Sequence, residues 1–184
     1  MFVDLSCYIF DHYPIWYRGG STIFNSNNMG LFAATFLAQL LPRFSFAFFE
    51  EMGWRGYLEA EFIKLNLGYF KRHLIVGLVW AVWHLPFILY MSSSNLPYSI
   101  FIPMFFTGVV VLAFILGQLL EKTGSIWPGI IFHGMSNTVA WAVLSSKIVV
   151  VNNPILFNIT PESVLGILLF ATIAYLIIRK RALN

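Results

Sequence analysis

Charged residues are scarce: Asp, Glu, Lys and Arg make up 10% of the 184 residues, where a soluble domain carries about 25%. So little charge cannot clothe a water-facing surface, which excludes a water-soluble globular enzyme. Cysteine is almost absent. The single Cys7, set in Leu5-Ser6-Cys7-Tyr8, excludes an internal disulfide and shows no metal-ligand spacing. No basic run with interleaved aromatics lies along a helix face, so nucleic acid is not an expected partner. The N-terminal residues place Asp4, Asp11, His12 and Arg18 among aromatics and lack the basic start, apolar core and cleavage site of a signal peptide. Internal repeats and low-complexity tracts are missing as well.

What is present is apolar bulk. Hydrophobic residues make up 59% of the chain, with 19 Phe and 6 Trp, and the mean hydropathy is +0.77. A disordered chain is poor in aromatics and rich in charge, so disorder is excluded. The indicated fold class is all-α: a polytopic membrane helix bundle with room for about five to six spanning helices of about 20 residues each. Five apolar stretches stand out, at 29–49, 73–91, 99–120, 126–144 and 163–178. Their borders carry helix punctuation: Gly124 stops the third, Pro128 sits in the first turn of the fourth, and Thr160-Pro161-Glu162 opens the fifth. Ser92-Ser93-Ser94-Asn95-Leu96-Pro97 breaks the second from the third. Residues 1–28 read as an interfacial or partial helix before a helical domain over 29–184.

Basic residues set the expected orientation. Arg55, Lys64, Lys71 and Arg72 follow the first stretch, Lys122 follows the third, and Arg179-Lys180-Arg181 follow the fifth, against Arg18 and Lys147 on the other side. The excess of Lys and Arg assigns the first group to the cytoplasm. The expected location is a multi-pass plasma membrane protein of a prokaryote.

Ionisable groups inside a spanning segment are costly, so each is a functional-site hypothesis. They are Arg43 in the first stretch, Glu50-Glu51 with Arg55 at its end, His84 in the second, and His133 with Asn137 in the fourth. Arg43 after Pro42 reads most simply as a snorkelling or paired side chain. At 1.5 Å rise per residue His84 lies roughly 17 Å from His73, His133 roughly 10 Å from Ile126, and Glu50 roughly 13 Å from Glu59 if the helix continues that far. The three therefore fall at similar depth on one side. Positions i and i+4 share a helix face, which pairs Glu51 with Arg55, Trp80 with His84, and His133 with Asn137. Glu50 is left without a cation on its own helix and suits a general base. Pro86 frees the carbonyl of Val82 and distorts the helix where His84 must be aimed. Each residue alone has a bland reading as packing or helix staple, but two acids, two histidines and an amide in three helices would each need a separate one.

Glu50-Glu51-Met52-Gly53-Trp54-Arg55-Gly56, Trp80-Ala81-Val82-Trp83-His84-Leu85-Pro86 and His133-Gly134-Met135-Ser136-Asn137 resemble the ordered motifs EExxxR, FxxxH and HxxxN or HxxxD of the CPBP family. That family comprises CAAX prenyl proteases of the Ras-converting-enzyme type and bacteriocin-processing or immunity proteins. The resemblance spans about 46–138, with Trp80 where Phe is usual. The family commonly has more spanning helices, so the chain reads as short at its N-terminus. The resemblance implies an intramembrane glutamate-dependent endopeptidase acting on membrane-associated peptides, such as prenylated CAAX tails or leader peptides. It implies Glu50 as general base, His84 as its partner in polarising water, His133 and Asn137 as oxyanion stabilisers, and Glu51 and Arg55 as supporting residues.

Two questions stay open at this level. Glu50, His84 and His133 could ligate Zn²⁺ as a His₂Glu set, but there is no HExxH helix and Asn137 is a poor zinc ligand, so a metal-free site without a cofactor is favoured. The competing functions are a non-proteolytic membrane immunity or binding protein that retains the motifs, and a small ion or proton carrier. Membrane lipid is the expected surround, and oligomeric state is open.

Overall fold

The computed structural model describes residues 23–90, 96–150 and 163–182. Cys7, nearly all of the expected N-terminal segment, Ser92-Ser93-Ser94-Asn95 and Thr160-Pro161-Glu162 lie outside these residues. Helix α1 runs Met29–Glu51 and passes directly into a π-helical segment, Met52–Leu58, and then α2, Glu59–Lys64. Helix α3 is Tyr69–Trp83, α4 is Leu85–Tyr90, α5 is Tyr98–Thr123, α6 is Trp127–Ser146 and α7 is Val164–Ala182. The fold is an all-α membrane helix bundle.

Three helical runs are long and apolar enough to cross a membrane: Ser26–Lys64, Tyr69–Tyr90 and Tyr98–Thr123. The first exceeds the stretch at 29–49 because the helix does not stop at its polar end. It also runs unbroken through Pro42. The expected fourth crossing is α6, which is not among the three because His133, Ser136 and Asn137 dilute its apolarity. The fifth is α7, whose apolar part, Val164–Leu176, is shorter. Leu37, Leu41 and Phe49 on α1 and Leu168 and Leu169 on α7 are left exposed by the protein, as a lipid-facing surface requires.

The break at His84 is as the sequence indicates. Proline at 86 cannot donate to the carbonyl of Val82, so α3 ends at Trp83, the His84 N–H turns back to Ala81 O at 3.1 Å, and α4 restarts with Ile88 N–H on His84 O at 2.9 Å. Gly124 closes α5 in the left-handed region at φ 66°, its N–H on Leu120 O at 2.8 Å, a conformation glycine adopts without steric cost.

Glycine also sets how closely the helices pack. A Cβ on Gly134 of α6 would stand 3.2 Å from Phe44 Cα of α1, and one on Gly77 of α3 would stand 2.8 Å from Val110 Cα of α5. Small residues at such crossings let backbones approach where lipid supplies no hydrophobic drive between helices. Helices α1 and α6 run antiparallel. Their far ends are stitched by Asn28 Nδ2 donating to Ser146 O at 2.8 Å and by a two-residue antiparallel pair, Ile23 with Val150 and Phe24 with Val149. The core between α3 and α5 is Trp80, Ala81, Val109, Leu112, Ala113 and Leu116, closed over by Phe132 of α6 and Phe170 of α7.

Candidate active site

Glu50 and Glu51 are adjacent in sequence, so helical geometry turns them about 100° apart. The two carboxylates consequently meet different neighbours. Glu51 is fully buried, and its Oε1 accepts from Arg55 Nη1 at 2.9 Å and from His133 Nδ1 at 2.9 Å. Its other oxygen, Oε2, is buried beside Gly129 and makes no hydrogen bond. Glu50 is half-buried, and its Oε2 accepts from Trp80 Nε1 at 2.8 Å. Glu50 Oε1 has no hydrogen-bond partner among the described residues.

Trp80 joins the other groups. The His84 ring turns back on its own helix so that Nδ1 donates to the Trp80 carbonyl at 2.9 Å. A carbonyl can only accept, so Nδ1 carries the proton and Nε2 of the neutral ring presents a lone pair. The indole ring meets the His133 ring edge-on with centroids 5.3 Å apart, and the Arg55 guanidinium lies 4.5 Å above it. An aromatic face under a guanidinium in a dry site is worth about 2 kcal/mol. His84 is further walled by Trp83, at 5.0 Å between ring centroids, and Phe105, at 5.1 Å.

The same logic holds for His133. A carboxylate at Nδ1 makes that nitrogen a donor, which leaves Nε2 as the ring's free pole. One turn further along α6, Asn137 is half-buried on the same face, and it makes no hydrogen bond to the other site residues among those described. The structure therefore gathers Glu50, Glu51, Arg55, His84 and His133 around Trp80, with Asn137 one turn above His133. The Glu51–Arg55 pairing is as the i, i+4 spacing predicts. The Glu51–His133 bond and the placement of Trp80 at the centre are not visible in the motif spacing. Trp80 differs from the Phe of the resemblance in carrying an N–H donor, the one sequence signal that could have marked it.

Arg43 lies outside this cluster. Its Nε donates to Gln39 Oε1 at 3.2 Å, and its guanidinium stacks 4.2 Å over Trp141. The three acids and histidines close enough to share an ion among the described residues are Glu59, His73 and Glu121, with ligand atoms within 4.8 Å of one another, not Glu50, His84 and His133. In the latter set Glu50 Oε2 and His84 Nδ1 are engaged by Trp80 and His133 Nδ1 by Glu51, which leaves Glu50 Oε1 and the Nε2 atom of each ring as the remaining donors.

A family profile described as Type II CAAX prenyl endopeptidase Rce1-like matches residues 29–139, more than half of the chain. The chain belongs to this family. The match takes in Glu50, Glu51, Arg55, His84, His133 and Asn137. A curated relative, CAAX prenyl protease 2 of Methanococcus maripaludis, is 31% identical over 113 residues, which is 58% of this chain and 41% of the relative. The chain thus spans under half the length of the relative it matches. No solved structure matches.

Proposed function

We propose that this CAAX prenyl endopeptidase family member hydrolyses peptide bonds in membrane-associated substrates, prenylated C-terminal CAAX segments in particular, using Glu50 to activate water. A CAAX tail carries its prenyl chain on cysteine, and a lipid-embedded site meets that chain without extracting it from the bilayer. The observation that carries the reading is the division of labour between the paired acids: Glu51 is fully buried and bound to Arg55 and His133, while half-buried Glu50 has no cation beside it, is oriented by Trp80 through Oε2 and keeps Oε1 unengaged.

In this mechanism a water bridges Glu50 Oε1 and His84 Nε2. Glu50 takes a proton as the water oxygen attacks the scissile carbonyl carbon. The resulting oxyanion receives hydrogen bonds from the Asn137 amide and from His133 Nε2, which must then carry a proton. Glu51, fixed by Arg55, holds the His133 ring at its other nitrogen. Collapse of the tetrahedral intermediate breaks the C–N bond, and Glu50 returns its proton to the leaving amine. Donors aimed at the developing charge in a dry site are worth about 2.7–4 kcal/mol each, and base catalysis adds about 10²–10⁴-fold. In this reading Glu50 and His84 act on the water directly, without a metal.

The test is cleavage of a farnesylated CAAX peptide in proteoliposomes, with product masses read by mass spectrometry. Glu50→Gln is expected to abolish cleavage while melting like the parent. Turnover at the parent rate by a Glu50→Gln preparation of verified purity would refute the assignment.

A further inference from the structure

A second buried polar cluster lies one helical step beyond the first, and the proposed hydrolysis does not use it. Glu59 on α2 and His73 on α3 are fully buried, and Glu121 on α5 joins them with its side chain 18% exposed. Arg72 grips both acids: Nε donates to Glu59 Oε1 at 3.3 Å, Nη2 donates to Glu121 Oε1, and Nη1 donates to Leu67 O at 3.2 Å. The His73 ring is locked in orientation. Tyr69 abuts it edge-on with centroids 4.3 Å apart, Phe114 does so at 5.5 Å, and the ring fills the space where any Cβ on Gly117 would have to stand.

What is unusual is the polar account of that ring. Neither His73 nitrogen makes a hydrogen bond, and neither does Glu59 Oε2, although all three atoms are buried. Each such orphan costs about 1–3 kcal/mol, and one in a native interior calls for a water or an ion. Both ring nitrogens nevertheless face carboxylates: Nδ1 stands 3.2 Å from Glu59 Oε1 and Nε2 stands 3.9 Å from Glu121 Oε1. Ligands of a tetrahedral ion bonded at about 2.0 Å sit about 3.3 Å apart, so the Nδ1–Oε1 pair already has ligand–ligand spacing without hydrogen-bond geometry. With a neutral ring, the two carboxylates and Arg72 leave an excess negative charge, which favours a cation.

We propose that Glu59, His73 and Glu121 form a binding site for a divalent ion of the zinc class, which ties α2, α3 and α5 together. One imidazole with two carboxylates is a donor set suited to Zn²⁺ or Mn²⁺ rather than to Ca²⁺. Arg72 neutralises the far side of both acids through their Oε1 atoms, and the ion takes one ring nitrogen of His73 and one oxygen from each acid. The site is structural: it fixes the helix that carries Glu51, Arg55 and Glu59 on one buried stripe. This inference is independent of the proposed hydrolysis.

The test uses the full chain in detergent, stripped by chelator, reloaded with Zn²⁺ or Co²⁺, desalted, and measured for metal content and thermal unfolding. The expected result is one ion per chain, a raised melting temperature, and a visible Co²⁺ spectrum. All three are lost in His73→Gln, ion affinity falls at least tenfold in Glu121→Gln, and all three persist in Glu50→Gln and His84→Gln. Glu121→Gln lies at the cluster's open edge and serves if His73→Gln does not fold. The proposal is overturned if the parent chain retains no ion, if His73→Gln or Glu121→Gln binds as tightly as the parent, or if the ion is lost instead from the Glu50 or His84 variants. A parent chain that binds the ion but cleaves no peptide would count against the hydrolytic reading alone.

Discussion

The indole N–H of Trp80 donates to Glu50 Oε2 at 2.8 Å, while the backbone carbonyl of the same residue accepts from His84 Nδ1 at 2.9 Å. One residue therefore orients both partners of the proposed water-activating pair, the carboxylate through its side chain and the imidazole through its main chain. Trp80→Phe removes only the first contact and keeps an aromatic ring against Ala81 and Leu116. Its kcat is expected to fall about tenfold, the equivalent of about 1.4 kcal/mol, with KM unchanged. Steady-state kinetics on a prenylated peptide measure this, and a change in KM alone would argue that Trp80 contacts substrate rather than positioning Glu50.

The two neighbouring acids should separate cleanly on substitution. Glu51→Gln strands the buried Arg55 guanidinium, which has its Nε and Nη2 already without partners. Breaking a buried pair in this way costs about 3–5 kcal/mol. Glu51→Gln is therefore expected to melt well below the parent chain, whereas half-buried Glu50→Gln melts with it and loses only activity. Thermal unfolding in detergent compares the two directly.

Asn137 makes no bond to the other site residues among those described, so it adds little to folding. Asn137→Ala should unfold like the parent and lower kcat about 10²–10³-fold, as the loss of one oxyanion donor does. Equal losses of stability and activity would assign it a packing role.

The α1–α6 crossing should tolerate nothing larger than glycine at 134. A methyl group there would press on Phe44 Cα at 3.2 Å, and such overpacking costs about 1–3 kcal/mol. Separating these helices also pulls His133 from Glu51. Gly134→Ala is expected to lose activity and stability together, whereas Gly53→Ala, with open space at its Cβ position, should retain the packing.

Much of this arrangement was legible because it is local. The Glu51–Arg55 pair follows from four-residue spacing, the break at His84 from Pro86, and the end of α5 from Gly124. What could not be read depends on contacts across the chain or on the chain's local winding. Glu59, His73 and Glu121 sit near helix ends, where Lys64, Lys71 and Arg72 make them look like ordinary membrane-border charge, and only folding turns them inward. The absence of α6 from the strongly apolar spans has the same origin as the site: α6 gives up lipophilicity to carry His133 and Asn137. The π-helical winding of Met52–Leu58 leaves no distinctive residue pattern, since Gly53 and Gly56 would be equally at home in a turn.

That winding has a consequence for register. Four residues of α-helix advance about 40° past a full turn, so acids and bases at 51, 55 and 59 on a plain α-helix would drift about 80° around the axis. The π-helix closes its bonds from i to i+5 and so takes more residues per turn, which cancels the drift and keeps Glu51, Arg55 and Glu59 all facing inward, at 0%, 2% and 0% exposure. The segment works as a phase corrector between two polar clusters. Restoring α winding with every residue kept would turn Glu59 about 80° toward lipid relative to Glu51, whereas removing a single residue along with the π winding would leave it seven α-helical residues away, within about 20° of the Glu51 face.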